Sequence, residues 1–311
     1  MEKIKVLFVG VGSIARRHIR NLQFITEKRE LSLAVDVFRH RAGSSTVEGV
    51  REEYHDVSEV PDDYDAIFIT NPTELHLVSL RQFYEKGKHF FIEKPVVSLP
   101  QIEEAKLFPL RNGSIHYVAC PLRYNAVIQY VKKNISPKEV ISVRSISSSY
   151  LPDWRPAQDY RETYSAHKDM GGGVSIDLIH EWDYLTYLFG WPRQVRHMKG
   201  KKSALEIDSD DYAVYIAEYS DKIAELHLDY FGRKTIREIQ LFTRNDTIIG
   251  DIANNQIKYL VGGQVIDFQE ERDDFQRREI EHFLDMIEGI SETKDGFSHG
   301  IKVLELTQGK I

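Results

Sequence analysis

The first third of the chain alternates short apolar runs with stretches of helical periodicity. Ile4–Val9 is a nearly continuous apolar run that ends at Gly10. Comparable runs follow at residues 31–38, 66–69, 89–92 and 115–119. Between the first two runs, apolar residues recur at helical spacing from Ala15 to Ile25. This alternation predicts a parallel sheet with helices on both faces, the architecture of a Rossmann-type α/β domain.

The pattern changes after about residue 122. Val140–Tyr150 predicts a long strand, and further alternating segments flank the turn sequences Ser220–Lys222 and Arg244–Asp246. A helix is predicted from Val174 to Phe189, because Gly190 follows it as a stop signal. These elements predict an α+β domain with a large, mostly antiparallel open sheet that packs one face on helices.

Composition is consistent with two folded domains. Hydrophobic residues make up 41% and charged residues 29% of the 311 residues, with 19 glycines and 10 prolines, which excludes a collagen-like or disordered chain. At about 150 residues per domain, this length predicts two domains. The change of pattern divides them into residues 1–122 and 123–311.

The net charge of −7 argues against a nucleic-acid partner, since such proteins carry a basic patch or stripe. The short cluster Arg16–His18 is interpreted as solvated surface charge. Cys120 is the only cysteine, which excludes an intramolecular disulfide and a cysteine zinc site. The start of the chain predicts a strand rather than a signal peptide, and no segment approaches the roughly 18 apolar residues of a membrane span. We therefore expect a cytoplasmic protein with no membrane partner.

A glycine turn follows the first strand and opens the first helix. Gly10 would allow the tight turn, Gly12 would let a pyrophosphate approach the backbone, and Ala15 would permit close packing of the helix on the strand. The helix N-terminus adds free N–H groups and the positive end of the helix dipole. In this strand–turn–helix context the pattern predicts dinucleotide binding.

The tip of the second strand should distinguish NAD from NADP. An acid there binds the ribose 2′-hydroxyl, whereas an arginine accommodates a 2′-phosphate. Asp36 is one candidate, but Val37 and Phe38 continue the apolar run, which would place Arg39 and Arg41 at the adenosine ribose. The cofactor is therefore predicted to be NAD or NADP, with a preference for NADP. The alternative is that both arginines are solvated loop residues.

Two polar segments follow later strands of the predicted sheet. Thr70-Asn71-Pro72, with His76, follows one strand, and Glu93-Lys94-Pro95 follows the next. Both should line the ligand crevice, because ligands bind at the carboxyl ends of parallel strands. A lysine there could donate a hydrogen bond to a substrate oxygen, although Lys94 alone could equally be a surface turn residue. The predicted cofactor-binding residues are Gly10, Gly12, Ser13, Ile14, Arg39, Thr70, Asn71, Pro72, His76, Glu93 and Lys94.

Together these motifs resemble those of the glucose-fructose oxidoreductase, inositol dehydrogenase and MocA-like family. The resemblance spans nearly the whole chain and includes the glycine triplet at 171–173, Asp177 and the helix containing His282–Asp285. It implies that residues 1–122 form a Rossmann dinucleotide-binding domain and that 123–311 form a substrate-binding domain, whose open sheet often forms the oligomer interface. It also implies hydride transfer between nicotinamide and a sugar, cyclitol or nucleotide sugar, with Lys94 as the catalytic lysine.

The helix after the glycine triplet departs from the commonest family pattern. Many members carry histidine four residues after the aspartate, whereas here Glu181 holds that position and His180 comes one residue early. At spacings of three and four residues, Asp177, His180 and Glu181 can share one face of the helix. Which of His180 and Glu181 relays the proton stays open. The alternative interpretation is an acid at a helix N-terminus beside a buried structural histidine.

An irregular segment from Trp154 to Tyr164 contains Arg155 and Arg161. Arginine offers a planar fork for carboxylate or phosphate, so Arg155, Arg161 and Tyr164 are predicted to contact a polar, anionic substrate. The segment resembles a subgroup associated with sialic-acid-like and surface-polysaccharide sugars. Alternatively, it is a loop held by its own salt bridges. The 12 histidines are scattered without a close ligand pair, so no metal site is predicted.

The sequence thus predicts an NAD(P)-dependent oxidoreductase acting on a hydroxyl or carbonyl carbon of a sugar derivative, assembled as a homodimer or homotetramer through the second sheet. The predicted catalytic residues are Lys94, Asp177, His180 and Glu181. The predicted substrate-binding residues are Lys94, Arg155, Arg161, Tyr164, Asp177 and His180. The alternative function is a sensor of the same fold that binds dinucleotide and sugar without catalysis.

Overall fold

The computed structural model describes residues 3–40, 47–291 and 296–311. The strands are β1 (Lys3–Val9), β2 (Ser32–Phe38), β3 (Glu52–Tyr54), β4 (Tyr64–Ile69), β5 (Gly87–Ile92), β6 (His116–Val118), β7 (Val140–Tyr150), β8 (Gln194–Gly200), β9 (Tyr212–Glu218), β10 (Ile223–Asp229), β11 (Phe231–Thr243), β12 (Thr247–Asp251), β13 (Gln256–Tyr259) and β14 (Val265–Asp267). The helices are α1 (Ser13–Lys28), α2 (His76–Gln82), α3 (Ile102–Lys106), α4 (Ala126–Asn134), α5 (Val174–Asp177), α6 (His180–Phe189), α7 (Arg272–Ile287) and α8 (Phe297–Leu306).

The chain divides into two compact units. Unit 1 comprises Met1–Ala119 and Gln276–Ile301, and unit 2 comprises Cys120–Phe275 and Lys302–Ile311. The first crossing lies close to the predicted boundary at 122/123, but the prediction of two continuous segments does not include the return of 276–301 to unit 1. The return is explained by packing, because the Phe283 ring lies 5.7 Å from that of Phe68 and 5.3 Å from that of Phe91.

Unit 1 contains a six-stranded sheet in the order β3-β2-β1-β4-β5-β6. All its strand pairs are parallel. Val6, Leu7 and Phe8 on β1 are fully buried, as expected for a strand covered on both faces. The strand order reverses between β1 and β4, and this switch point is where open α/β sheets bind ligands. The predicted Rossmann-type fold is confirmed.

Unit 2 contains an eight-stranded sheet in the order β14-β13-β12-β11-β7-β10-β9-β8. Every pair is antiparallel except β10 with β7, so the predicted mostly antiparallel sheet is also confirmed. One face packs on helices: the Tyr184 hydroxyl of α6 lies 2.6 Å from Oγ of Ser145 on β7. On β9, Tyr215 is buried whereas the next residue, Ile216, is half exposed on the other face.

The predicted single helix from Val174 to Phe189 is wrong, because the structure has two helices, α5 and α6. Between them the N–H of Ile179 bonds to the carbonyl of Ile176, and the N–H of Glu181 bonds to the carbonyl of Leu178. These bonds span three residues rather than four, which tightens the backbone and changes the direction of the side chains. Asp177 and Glu181 therefore do not lie on one face of one helix.

Among the residues that the structure describes, every helix is too short or too polar to span a bilayer.

Candidate functional site

Gly10 occupies a position that only glycine fits. Its φ of 93° lies in the left-handed region, and a Cβ there would come within 2.6 Å of the Asn71 Cα. Its N–H donates to the Phe38 carbonyl at 2.9 Å. Gly10 thereby fixes the close approach of the loops that follow β1, β2 and β4 at the carboxyl edge of the sheet.

The N-terminus of α1 is open to a ligand. Gly12 is the N-cap residue, and within the described part of the chain no atom lies within 4 Å of the place a Cβ would occupy. Ser13 is exposed and Ile14 half-buried, whereas Ala15 is fully buried as close helix–sheet packing requires. Free N–H groups beside an unfilled glycine surface fit a dinucleotide pyrophosphate.

The loop after β4 supplies polar groups beside this turn. The Thr70 hydroxyl donates to the Gly10 carbonyl at 2.9 Å, and the Asn71 amide donates to Oγ of Ser79 at 2.7 Å. Pro72 precedes the short 3₁₀ turn that leads into α2. Asn71 Oδ1 is buried, and no described residue donates to it. An unsatisfied acceptor at this edge is consistent with a ligand that supplies a donor.

His76 links the loop after β4 to the loop after β5. Its two ring nitrogens each lie 3.0 Å from a carbonyl oxygen, one of Asn71 and one of Pro95. Burial lowers the pKa of His76 below that of a solvated histidine. Lys94 immediately precedes the bound Pro95, and the peptide bond between them is cis. The predicted cofactor-binding His76 is therefore buried between the two loops, where its neutral ring has one N–H to donate to one of the two carbonyls.

Glu93 is held by His18, a residue that the sequence analysis interpreted wrongly as surface charge. His18 is buried, and its Nε2 lies 2.6 Å from Glu93 Oε1. Burial acts to raise the pKa of Glu93, but the His18 hydrogen bond and the nearby charges of His18, Lys94 and His76 together hold the pKa below its usual value. Glu93 Oε2 accepts the Lys94 N–H at 3.2 Å. The helical spacing of His18 from Ala15 and Leu22 is the signal that could have placed it inside.

Asp36, the candidate acid on β2, faces the interior of unit 1. It is fully buried and accepts a 2.8 Å hydrogen bond from the Tyr64 hydroxyl. Arg51 donates to both of its carboxylate oxygens, at 3.0 and 2.6 Å. Because its acceptors are used inside the protein, Asp36 is not placed to receive a ribose hydroxyl.

Arg39 follows β2 at the carboxyl edge of the sheet, as predicted for a residue near the adenosine ribose. Its guanidinium donates to both Glu53 oxygens, at 2.6 Å each. This hydrogen-bonded pair holds the pKa of Glu53 below its usual value. Arg41, the other candidate, lies outside the described residues.

Unit 2 buries Asp177 against the phenol of Tyr230. The Tyr230 hydroxyl donates to Asp177 Oδ2 at 2.5 Å. Burial, followed by the Asp177 charge, raises the pKa of Tyr230 well above its usual value; for Tyr164 the Asp177 charge is the larger cause. The protonated phenol of Tyr230 therefore orients the Asp177 carboxylate. Tyr230 was missed because no local pattern marks a residue that acts through a distant partner.

The two candidates for proton relay occupy different environments. Glu181 is fully buried, and Oε1 accepts a 2.6 Å hydrogen bond from Nε of Arg237 on β11. His180 begins α6 and is half-buried. Glu181 thus forms an ion pair inside the unit, whereas His180 retains access to solvent.

The two predicted substrate arginines differ in their partners. Arg161 donates to Asp159 at 2.7 Å and to Glu206 at 2.6 Å, so its charge is already neutralised. Arg155 is exposed and lies 5.9 Å from the centre of the Tyr164 ring, and no carboxylate of the described residues is within ion-pair distance of it. Trp154, beside it, packs edge-on against Tyr230 at 5.3 Å. Arg155 therefore lies close to Tyr164, and its neighbour Trp154 contacts the Tyr230 phenol that binds Asp177.

The structure also brings together His167, Asp169 and Asp208, whose ligand atoms lie within 4.8 Å of one another. The sequence predicted no metal site, and the spacing along the chain gives no hint of this group. His167 Nε2 already lies 2.7 Å from the Arg161 carbonyl, and Asp208 accepts the Lys168 N–H at 2.7 Å. His167 and Asp208 thus take part in the local hydrogen bonding of the loop.

Two family models match the chain. One, described as an oxidoreductase family with an NAD-binding Rossmann fold, matches residues 4–108. The other, a GFO/IDH/MocA C-terminal domain, matches residues 128–245. Between them they cover most of both units.

Curated relatives include two proteins of Bacillus subtilis. The uncharacterized oxidoreductase YrbE is 28% identical over 66% of this chain and 58% of its own length. The scyllo-inositol 2-dehydrogenase (NAD(+)) is 25% identical over 61% of this chain and 55% of its own length. The matches thus span a little over half the length of these relatives.

Solved structures share the fold over almost the whole chain. Levoglucosan dehydrogenase in complex with NADH and levoglucosan has a TM-score of 0.83 at 15% identity, covering 99% of this chain and 96% of that one. The WlbA dehydrogenase from Bordetella pertussis in complex with NADH and UDP-GlcNAcA has a TM-score of 0.76 at 18% identity, covering 99% and 95%.

Proposed function

The chain belongs to the Gfo/Idh/MocA family of oxidoreductases, and from that premise we propose that it is an NAD(P)-dependent dehydrogenase or reductase of a sugar, cyclitol or nucleotide sugar. The observation that carries the proposal is the position of His76. Its ring lies 3.0 Å from the carbonyl oxygen of Asn71, at the predicted nucleotide-binding edge, and 3.0 Å from that of Pro95, the residue after Lys94. Relatives named for an inositol and structures named for levoglucosan and UDP-GlcNAcA support this range of substrates.

The residues of unit 1 would hold the dinucleotide. Gly12 and the N-terminus of α1 suit its pyrophosphate, and Asn71 Oδ1 offers an acceptor beside it. When bound, the nicotinamide ring supplies the site of hydride transfer. The family model that matches unit 1 is described as an NAD-binding Rossmann fold, which supports NAD as the cofactor. The preference for NADP stays a prediction.

Lys94 is proposed to act on the reacting oxygen of the substrate. Its ammonium would donate a hydrogen bond or a proton to a carbonyl undergoing reduction, and its amine would accept the proton from a hydroxyl undergoing oxidation. The His18–Glu93 pair and His76 hold the backbone on either side of it. Such bracing is what a positioned acid or base requires.

Asp177 and His180 are proposed to orient the substrate and relay the proton. Asp177 accepts a hydrogen bond from the Tyr230 phenol, which fixes the direction of its carboxylate. His180 is favoured over Glu181 for the relay, because Glu181 is engaged by Arg237 and buried. Arg155 is proposed to bind an anionic group of the substrate, as a surface-polysaccharide or sialic-acid-like sugar would carry.

The test is a turnover assay that monitors the absorbance of reduced nicotinamide. It is run with NAD and with NADP on cyclitols, free sugars and nucleotide- or carboxyl-bearing sugars. Lys94→Ala should lower kcat by about 10²–10⁴-fold, the usual contribution of a positioned acid or base, with cofactor affinity retained. Lys88→Ala, at an exposed lysine of β5, is the control. An unaffected rate in Lys94→Ala would remove the lysine from the mechanism. Dinucleotide binding without turnover of any substrate would favour the sensor instead.

The open face of the unit 2 sheet is proposed to join copies of the chain into a homodimer or homotetramer. Met198 on β8 and Ile216 on β9 are 68% and 50% exposed on this face. The Arg144–Glu225 ion pair joins the neighbouring strands β7 and β10, and Glu225 lies opposite Ile216, so the face mixes apolar and paired charged residues. Sedimentation of the wild type and of Ile216→Lys tests this, since a buried lysine would dissociate such an interface. Identical masses for the two proteins would reject it.

A further inference from the structure

We propose that Glu53 on β3 is a specificity-determining residue that occupies Arg39 and so makes the nucleotide-binding edge favour NAD over NADP. The inference uses the NAD-binding Rossmann domain and the contacts within unit 1. It does not depend on the sugar or on the roles of Lys94 and Asp177. The proposed function and this inference can therefore fail separately.

The usual acid of this position is unavailable in this chain. In many NAD-binding Rossmann domains a carboxylate near the end of the second strand receives the ribose 2′-hydroxyl. The acid of β2 here is Asp36, which is fully buried and saturated by Tyr64 and by both arms of Arg51. Recognition of the ribose must come from other residues at the same edge.

The arginine at that edge is also engaged. Nε of Arg39 donates to Glu53 Oε1 and Nη2 donates to Oε2, both at 2.6 Å, so the fork that would bind a 2′-phosphate is already filled by a carboxylate. The side chains are only 17% and 26% exposed. A pair that is two-pronged and mostly shielded from solvent is stronger than an ordinary surface ion pair.

The position of Glu53 is fixed from several directions. β3 runs parallel to β2, with Tyr54 opposite Phe38, so Glu53 lies at the carboxyl edge where β2 ends. The Arg39 N–H donates to the Tyr54 carbonyl at 3.1 Å. His55 closes the arrangement, with Nδ1 2.8 Å from the Arg39 carbonyl oxygen and Nε2 3.3 Å from Glu53 Oε1.

The two cofactors meet this pair differently. A ribose 2′-hydroxyl is a neutral donor, and the remaining lone pairs of the Glu53 carboxylate can accept from it while the Arg39 pair stays intact. A 2′-phosphate brings negative charge towards the same carboxylate and can use the Nε–Nη2 edge of Arg39 only by breaking the pair. The arginine that suggests NADP from the sequence is therefore withheld from it in the folded protein.

The experiment measures dissociation constants of NADH and NADPH, from the nicotinamide fluorescence change on binding, with the full chain and no sugar. Glu53→Gln removes the competing charge and weakens the hold on the Nε–Nη2 edge of Arg39, so we expect NADPH to gain on NADH by about ten-fold or more. Glu52→Gln is the matched control, because it removes the same charge from the adjacent, exposed residue of β3. It should change the ratio by about two-fold or less, as expected for an exposed charge.

A second pair of variants tests the route through Arg39. Adding Arg39→Gln to Glu53→Gln should abolish the gain for NADPH, since the released guanidinium is then missing. Glu53→Asp retains the charge, so its ratio of NADH to NADPH dissociation constants should stay nearer that of the wild type. Retained NADH binding shows that each variant is folded. An unchanged ratio in Glu53→Gln, an equal change in Glu52→Gln, or a gain that survives the loss of Arg39 would each overturn the proposal.

Discussion

The hydroxyl of Tyr230 lies 2.5 Å from Oδ2 of Asp177 and donates to it. The two residues are separated by 53 positions along the chain, one at the end of α5 and the other between β10 and β11. The negative charge of Asp177 also raises the pKa of Tyr164. A carboxylate held by a buried donor keeps one direction, which a group that orients a substrate needs.

Tyr230→Phe should therefore lower kcat more than it changes NAD affinity. Removing the hydroxyl leaves a buried carboxylate with one donor fewer, which should also reduce the free energy of unfolding by about 1–3 kcal/mol. Urea unfolding and turnover measure the two effects. Tyr219→Phe is the control, because the buried Tyr219 hydroxyl has no hydrogen-bond partner among the described residues. Equal losses in both variants would show that the Asp177 bond has no special role.

Substitution of the two turn glycines should separate folding from nucleotide binding. Gly12→Ala has room for the new methyl group, so stability should change by less than about 0.5 kcal/mol while NAD affinity falls, because the methyl faces the pyrophosphate. Gly10→Ala combines a positive φ with a clash against Asn71 and should cost about 1–3 kcal/mol or more. Thermal unfolding and NADH titration distinguish the two. If Gly12→Ala binds NADH as tightly as the wild type, Gly12 does not face the pyrophosphate.

His116 on β6 should make unit 1 sensitive to acid. Burial lowers the pKa of this residue from 6.5 to about 4, and its ring stacks on Phe90 at 5.2 Å. Since the unfolded chain binds the proton more tightly, the free energy of unfolding should fall as pH drops below 6.5 and stop falling near 4, by about 3 kcal/mol in total.

Urea unfolding at a series of pH values measures this decrease in the free energy of unfolding. His116→Phe should make the decrease smaller by about the same amount. His40→Gln, at an exposed histidine of the same unit, is the control. A His116→Phe protein with the wild-type pH profile would assign the acid sensitivity to other groups.

Arg155 and Arg161 should differ in their effects on an anionic substrate. Arg161 is neutralised by Asp159 and Glu206, so Arg161→Gln should change KM by about two-fold or less. Arg155→Gln should raise KM for a carboxyl- or phosphate-bearing sugar by about ten-fold or more, with little effect on a neutral cyclitol. Parallel KM measurements on the two substrate types decide this. Equal effects of the two substitutions would remove the distinction that the ion pairs suggest.

The strands and turns near the nucleotide could be predicted because their signals are local. A buried parallel strand needs a continuous apolar run, and β1 has one from Ile4 to Val9. A glycine is demanded where the backbone adopts a positive φ, as at Gly10. Both requirements act on consecutive residues, so they remain visible in the sequence. The same reasoning found β7 with its observed bounds, Val140–Tyr150.

The division of the helix at residues 178–179 was beyond this reasoning, since apolar periodicity continues through the break. The break between α5 and α6 coincides with contacts to residues far along the chain. Asp177 accepts from Tyr230, and Glu181 accepts from Arg237. A pattern of local spacing contains no information on such partners. The prediction that Asp177 and Glu181 lie on one face failed for this reason.

By itself the sequence determined the Rossmann sheet, the mostly antiparallel second sheet, the glycine turn and the strand ends where Asn71 and Lys94 lie. Only the tertiary structure decided which polar groups are already paired: His18 with Glu93, Glu53 with Arg39, and Arg161 with its two acids. Backbone preferences and apolar periodicity act over a few residues, whereas the availability of a charge depends on which opposite charge folding brings within about 3 Å of it.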